Sequence, residues 1–383
     1  MKWIRYIKML TITFPFRGTL WVLISIFALI MVNCSSIPNQ QVVVKFPSKP
    51  GYLIAGQNES NQFINNKLLI FDQTSLIASR VINLPKSKID IAEIDPIGNI
   101  WIGLSGDANK EDNHIVVYSP SGEKLAEIET CLSPNVGIHF YEKKALVVCR
   151  DTGFYASVAE VDINLYKLIQ RVSVKLDGEN SFTAVSSVLS GSKLVIGGLT
   201  SGPIENLSYT VLIVMEVNAL SKPIGKIELG DGTNAWSIIS YKENIYVLNS
   251  EGDRNPARKD ILVVDMNRLK VINSVSMPSP SPLWGVCDSS SMFTFHNGGW
   301  NSIYSPVERT ICKTNLDTLE SICHKILDNF SGYDIGILNG QACITHWGDV
   351  QVGGLYCIEN DGSLTLKISF NDASALILPN MKP

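Results

Sequence analysis

A short apolar stretch returns seven times along this chain at nearly constant spacing. The stretches begin at Tyr52, Ile100, Leu146, Leu194, Ile245, Met292 and Ala342, so successive starts lie 48, 46, 48, 51, 47 and 50 residues apart. Each is four residues long, as in Tyr52-Leu53-Ile54-Ala55 or Leu146-Val147-Val148-Cys149, and too short for a helix in a folded core. A fixed period of this size marks a chain built by repeating one supersecondary unit. Every unit then needs its neighbours to cover its apolar faces.

The rest of each unit reads as strands and tight turns. A second apolar run follows each stretch after a polar loop, at Leu68–Phe71, Ile115–Tyr118, Ser157–Val161, Leu212–Val217, Ile261–Val264, Thr310–Lys313 and Leu355–Ile358. Next come turns such as Ser119-Pro120-Ser121-Gly122 and Glu359-Asn360-Asp361-Gly362, then a third strand. A further strand precedes each stretch, as Ala92–Ile94 precedes Asp95-Pro96-Ile97-Gly98-Asn99. Four antiparallel strands in a unit of roughly 40–50 residues make the blade of a β-propeller. The expected fold is therefore all-β, a seven-bladed propeller over residues 51–383. Long helical periodicity is missing after residue 40, which excludes a helical solenoid.

Three strand-to-turn junctions repeat an apolar-Asp pattern, Phe71-Asp72, Val161-Asp162 and Val264-Asp265. With the blade grammar over most of residues 50–378, this resembles the YVTN-like and quinoprotein-like seven-bladed propellers. The resemblance lies at the level of the fold. It implies that metal or cofactor ligands, where such enzymes carry them, surround the channel mouth; no such ligand set maps onto residues here, so neither metal nor cofactor is assigned. The Trp-Asp strand ending of WD40 repeats is missing. The first unit lacks an inner strand of its own, and Ser374–Leu378 is expected to supply it and close the ring, with Val42–Phe46 as the rival.

Residues 1–33 read as a targeting segment. Lys2, Arg5, Lys8 and Arg17 precede the apolar run Leu20–Val32. Thirteen residues span about 20 Å as a helix, short of a bilayer core of roughly 30 Å and suited to a signal-peptide core. The run ends Met31-Val32-Asn33-Cys34, which resembles a bacterial lipoprotein signal and implies diacylglycerol on Cys34. Met31 and Asn33 depart from the usual residues; a retained signal anchor and ordinary cleavage are the alternatives. All three export the chain, and residues 34–50 read as a tether. A formal net charge of −4, without a basic stripe after residue 17, argues against a nucleic-acid partner.

Eight cysteines in an exported chain invite disulfides. With Cys34 assigned to lipid, Cys312 with Cys323, Cys343 with Cys357, and Cys131 with Cys149 are candidate pairs, and Cys287 is left over. The alternative is that several are buried thiols.

Loop lengths locate the candidate site. Within a blade, the second-to-third-strand loop and the blade-to-blade connection share one face, and the long loops, such as Asn249–Lys259 and His296–Arg309, all fall there. On that face Phe182, Trp236, Trp284 and Tyr333 take equivalent places in blades four to seven, with Asp90 and Val136 at the corresponding places in blades two and three. Neighbouring loops add Arg254, Arg258, His296, Trp300, His346, Trp347 and Asp349. The pattern predicts an aromatic-lined ligand site at the channel mouth; packing between blades would produce the same repeated aromatics. No GxSxG elbow or metal-spaced cysteine cluster is present. The function this suggests is a non-catalytic binding or scaffold protein taking a protein, peptide or glycan. A lactonase-like hydrolase or quinoprotein-like dehydrogenase is the alternative.

Overall fold

In the computed structural model, residues 47, 49–59, 62–106, 110–151, 155–175, 182–201, 208–231, 233–251, 258–297, 309–326, 330, 332–346, 353–370 and 373–377 are described. They form seven four-stranded antiparallel sheets, strands β1 to β28 in chain order, with a single 3-10 turn at Val217–Ala219. Blades two to seven each use four consecutive strands. Blade one is composite, with order β28-β1-β2-β3. Its inner strand β28 (Ala373–Ile377) pairs with β1 (Pro50–Glu59), setting Tyr52 opposite Ile377 and Leu53 opposite Leu376. The C-terminal segment thus closes the ring, and Val42–Phe46, its rival, lies outside the described residues.

The apolar stretches are the second strands of the blades, and burial on both faces explains their unbroken hydrophobicity. Tyr52 and Ile54 pack into a cluster with Ile100, Ile102 and Val116 of blade two. Leu53, between them in sequence, points the other way, into a cluster with Leu338, Cys343 and Leu355 of blade seven. The alternation repeats around the ring and leaves one apolar cluster between every pair of adjacent blades. Full burial of each such side chain contributes about 1.5–3 kcal/mol.

The apolar-Asp motif has a local cause. Asp72, Asp162 and Asp265 accept backbone N–H bonds from residues two and three further on, at 2.8–3.0 Å, fixing the outer hairpin turn. Asn315 does the same for Asp317 and Thr318, a fourth instance hidden by the change of residue type. Each turn then needs a left-handed residue, supplied by Leu76, Tyr166, Leu269 and Leu319 at φ of 50–61°. An L-residue there costs about 1–2 kcal/mol where glycine would not. All four side chains pack against inter-blade clusters, which offsets that cost.

Three disulfides lie inside single blades. Cys312 faces Cys323 across β22 (Thr310–Asn315) and β23 (Ser321–Lys325), and Cys343 faces Cys357 across β25 (Gln341–His346) and β26 (Gly354–Ile358). Cys131, just before blade three, is bonded to Cys149 in its second strand, β9 (Lys144–Asp151). Cys287 is a buried thiol, pushed up to about 12 by burial. Cys34 lies outside the described residues.

Candidate functional site at the channel mouth

The site is made by a repeated irregularity of the innermost strands. In blades four to seven these are β12 (Phe182–Ser190), β16 (Thr233–Tyr241), β20 (Pro282–Cys287) and β24 (Gly332–Leu338). Each carries a register shift near its start, between Ala184 and Ser186, Ala235 and Ser237, Pro282 and Trp284, and Gly332 and Ile335. The small or ring-locked residue before each shift lets the backbone bend, and a bulge re-aims the extra residue. The residues so displaced include Val185, Trp236, Leu283 and Tyr333, and all four line one cavity of about 460 Å³. That volume suits a small ligand, for which pockets of roughly 300–1,000 Å³ are usual.

Blades two and three, whose inner strands β4 (Ile91–Ile94) and β8 (Gly137–Tyr141) run in register without a bulge, supply a different wall. It contains Lys88, Asp90, Ile91, Asn135, Val136 and Arg150. The Lys88 ammonium lies 3.0 Å from the Asp90 carboxylate. The Tyr333 hydroxyl crosses from blade seven to donate to the same carboxylate at 3.0 Å. Burial, then the Asp90 charge, raises the Tyr333 phenol well above its ordinary value, so it stays a donor. Arg150 donates from Nε to the Ala184 carbonyl at 3.1 Å. Burial lowers its guanidinium from the ordinary value and Asp90 opposes that shift; the group remains charged.

Of the residues singled out in sequence, Trp236, Trp284, Tyr333, Asp90 and Val136 meet in this cavity. Phe182 does not. It is 2% exposed and packs in the cluster between blades three and four; it starts β12, and Val185, three residues later at the bulge, holds the position that lines the cavity. His296 and His346 are also corrected, from loop residues to the buried last residues of β21 (Ser291–His296) and β25. The His296 Nδ1–H donates to the Pro280 carbonyl at 3.2 Å, leaving Nε2 to accept from Thr294 Oγ1 at 2.8 Å. Burial lowers its pKa to about 4, so it is neutral at pH 7. His346 stacks on Phe330 with ring centroids 4.4 Å apart. Arg254, Trp300, Trp347 and Asp349 lie outside the described residues, and Arg258 pairs with Asp260 at 3.2 Å.

Arg150 and Asn135 were not anticipated. A signal for Arg150 exists. The fifth position counted from each apolar stretch holds Gly56, Leu104, Arg150, Gly198, Asn249, His296 and His346, so four blades place a polar group where the second strand reaches the mouth. Only Arg150 of these four turns into the cavity. A further pair sits at its edge, where Ser187, a lining residue, lies 2.8 Å from Nε2 of His139.

No protein-family model matches the chain, and no curated protein matches it in sequence. Solved structures do match in fold. Dihydro-heme d1 dehydrogenase NirN in complex with DHE aligns with a TM-score of 0.56 at 12% identity, over 87% of this chain and 78% of that one. Hydrazine synthase of Kuenenia stuttgartiensis aligns at 0.57 and 10%, over 87% and 99%. The Pan2 WD40 domain of Neurospora crassa aligns at 0.52 and 9%, over 75% and 81%. Identities this low show a shared propeller architecture, on which unrelated activities are built.

Proposed function

We propose that the chain is an exported, lipid-anchored binding protein whose ligand, a glycan or a segment of a peptide or protein, sits in the channel mouth on the long-loop face. The observation that carries this reading is the cavity itself. Strands from six blades place an aromatic wall opposite a charged one in a single concavity of about 460 Å³. Export is supported by the basic lead-in, the apolar run and Cys34, and by three intra-blade disulfides, which suit an oxidising compartment.

Glycan and peptide arrays probed with the wild-type chain and with the Trp236→Ala/Trp284→Ala double variant test the site. Ligands lost on substitution, with an unchanged melting temperature, support the reading. Ligands that bind both proteins equally place recognition elsewhere and overturn it. Fatty-acid labelling that survives Cys34→Ala would exclude Cys34 as the lipidated residue, and absence of labelling on the wild-type chain would remove the lipid anchor.

One observation favours hydrolysis as a second reading. The Ser187 hydroxyl lines the cavity within hydrogen-bond reach of the His139 ring, an arrangement from which a serine nucleophile is activated. A fluorophosphonate adduct on Ser187 would support it; an unlabelled Ser187 in folded protein would exclude it.

A further inference from the structure

The cavity's two walls differ in what they leave unmet, and that difference specifies a ligand. On the aromatic side, Trp236 and Trp284 pack one edge into the cluster between blades six and seven and are only partly buried. The Trp284 and Tyr333 rings lie 6.2 Å apart at 34°, forming a tilted shelf. Such a shelf takes the flat apolar face of a ring.

On the opposite side, Asp90 is engaged by Lys88 and Tyr333. Arg150 gives its Nε to the Ala184 carbonyl, and among the described residues neither of its terminal amino groups makes a hydrogen bond. Two cations face one carboxylate, so this wall carries a net positive charge at neutral pH. A guanidinium fork presented this way matches a carboxylate through two parallel bonds. Next to it, the Asn135 side-chain oxygen is buried without a hydrogen-bond partner. A buried unmet acceptor is destabilising, and a hydroxyl donor would relieve it.

A ring with an apolar face, a carboxylate and hydroxyl groups satisfies all three. From the binding reading above, we infer that the channel mouth recognises an acidic sugar, a uronic acid unit of a glycan. The ring lies on the shelf of Trp284 and Tyr333, its carboxylate on Arg150 and a hydroxyl on Asn135.

The test is a titration of the full-length chain in detergent, followed by tryptophan fluorescence and calorimetry. The probes are glucuronate, its methyl ester, glucose and phenylacetate, each to roughly 10 mM, the regime of weak single-ring binding. Glucuronate should bind at least about tenfold more tightly than glucose or the ester, a ratio a single charge-assisted contact supplies. Arg150→Met should erase that ratio, and Arg150→Lys should restore part of it. The ester probe changes only the ligand, so the inference stays testable even if the Arg150 variants misfold. Equal binding of glucose or the ester, preference for phenylacetate, or no binding of glucuronate would overturn it. Should glucuronate fail while an array ligand is lost in the Trp236→Ala/Trp284→Ala variant, the acidic-sugar inference falls and the binding reading stands.

Discussion

The Tyr333 hydroxyl donates to the Asp90 carboxylate at 3.0 Å, joining blade seven to blade two across the position of the composite blade one. Residues 243 positions apart in sequence therefore meet at the channel mouth. The bond braces the ring beside the composite blade that closes it. Tyr333→Phe removes the donor and keeps the ring, and should lower unfolding stability by about 1–2 kcal/mol. A denaturant titration checks this; an unchanged midpoint would mean the bond braces nothing.

His296 makes stability depend on pH. Its folded pKa, about 4, lies below the ordinary 6.5 because burial disfavours the charged form. Below pH 6.5 the unfolded chain takes up a proton that the folded chain refuses. Stability should therefore fall by up to about 1.4 kcal/mol per pH unit, and by roughly 3 kcal/mol in all by pH 4. Asp72, Asp265, Glu359 and Asp361 are shifted downward by hydrogen bonds to their carboxylates, so their stabilisation is lost only at lower pH. Between pH 6.5 and 5 His296 contributes to the slope, and His296→Gln should reduce it in denaturation curves taken across that window.

Removing residues 373–383 strips β28 from β1 and leaves a bare strand edge. The melting temperature should fall and the chain should self-associate on warming, because an unpaired edge is a template for pairing. Calorimetry with light scattering reads both; a truncated chain that melts where the full one does would deny the closure its role.

The Cys131–Cys149 bond spans 18 residues of sequence. Replacing both cysteines by serine should cost about 3 kcal/mol, the usual worth of a cross-link over such a loop. Unfolding in urea, compared with wild type under reducing and non-reducing conditions, separates the cross-link from the serine substitutions themselves.

The ring was legible in the sequence because each blade's second strand is buried on two faces. Tyr52, Leu53 and Ile54 cannot be polar, so the period shows. Trp236, Trp284 and Tyr333 were legible as rim residues through their spacing. Phe182 was not, because it starts its strand three residues ahead of Val185, the bulged residue that corresponds to Trp236 and Tyr333, and an aromatic nearby on a similar spacing masks that residue in the sequence. His296 and His346 were misplaced for a related reason. Histidine suggests solvent, yet each here ends a core strand: His296 bonds its ring to Thr294 and Pro280, and His346 stacks on Phe330. Asn135 gave no signal at all, since its meaning depends on a neighbour's absence. Asp95 illustrates the converse. It accepts from the Trp101 indole at 3.0 Å and from Asn99, and its turn was visible in sequence while its role as their shared acceptor was not.

Because the inner strand of blade one is β28, the ring cannot be completed until residue 377 has been synthesised. Each disulfide, by contrast, joins cysteines 11 to 18 residues apart and waits for no distant partner. Synthesis and assembly are thereby uncoupled. Individual blades can be cross-linked one after another, while the circle itself stays open until the last strand arrives.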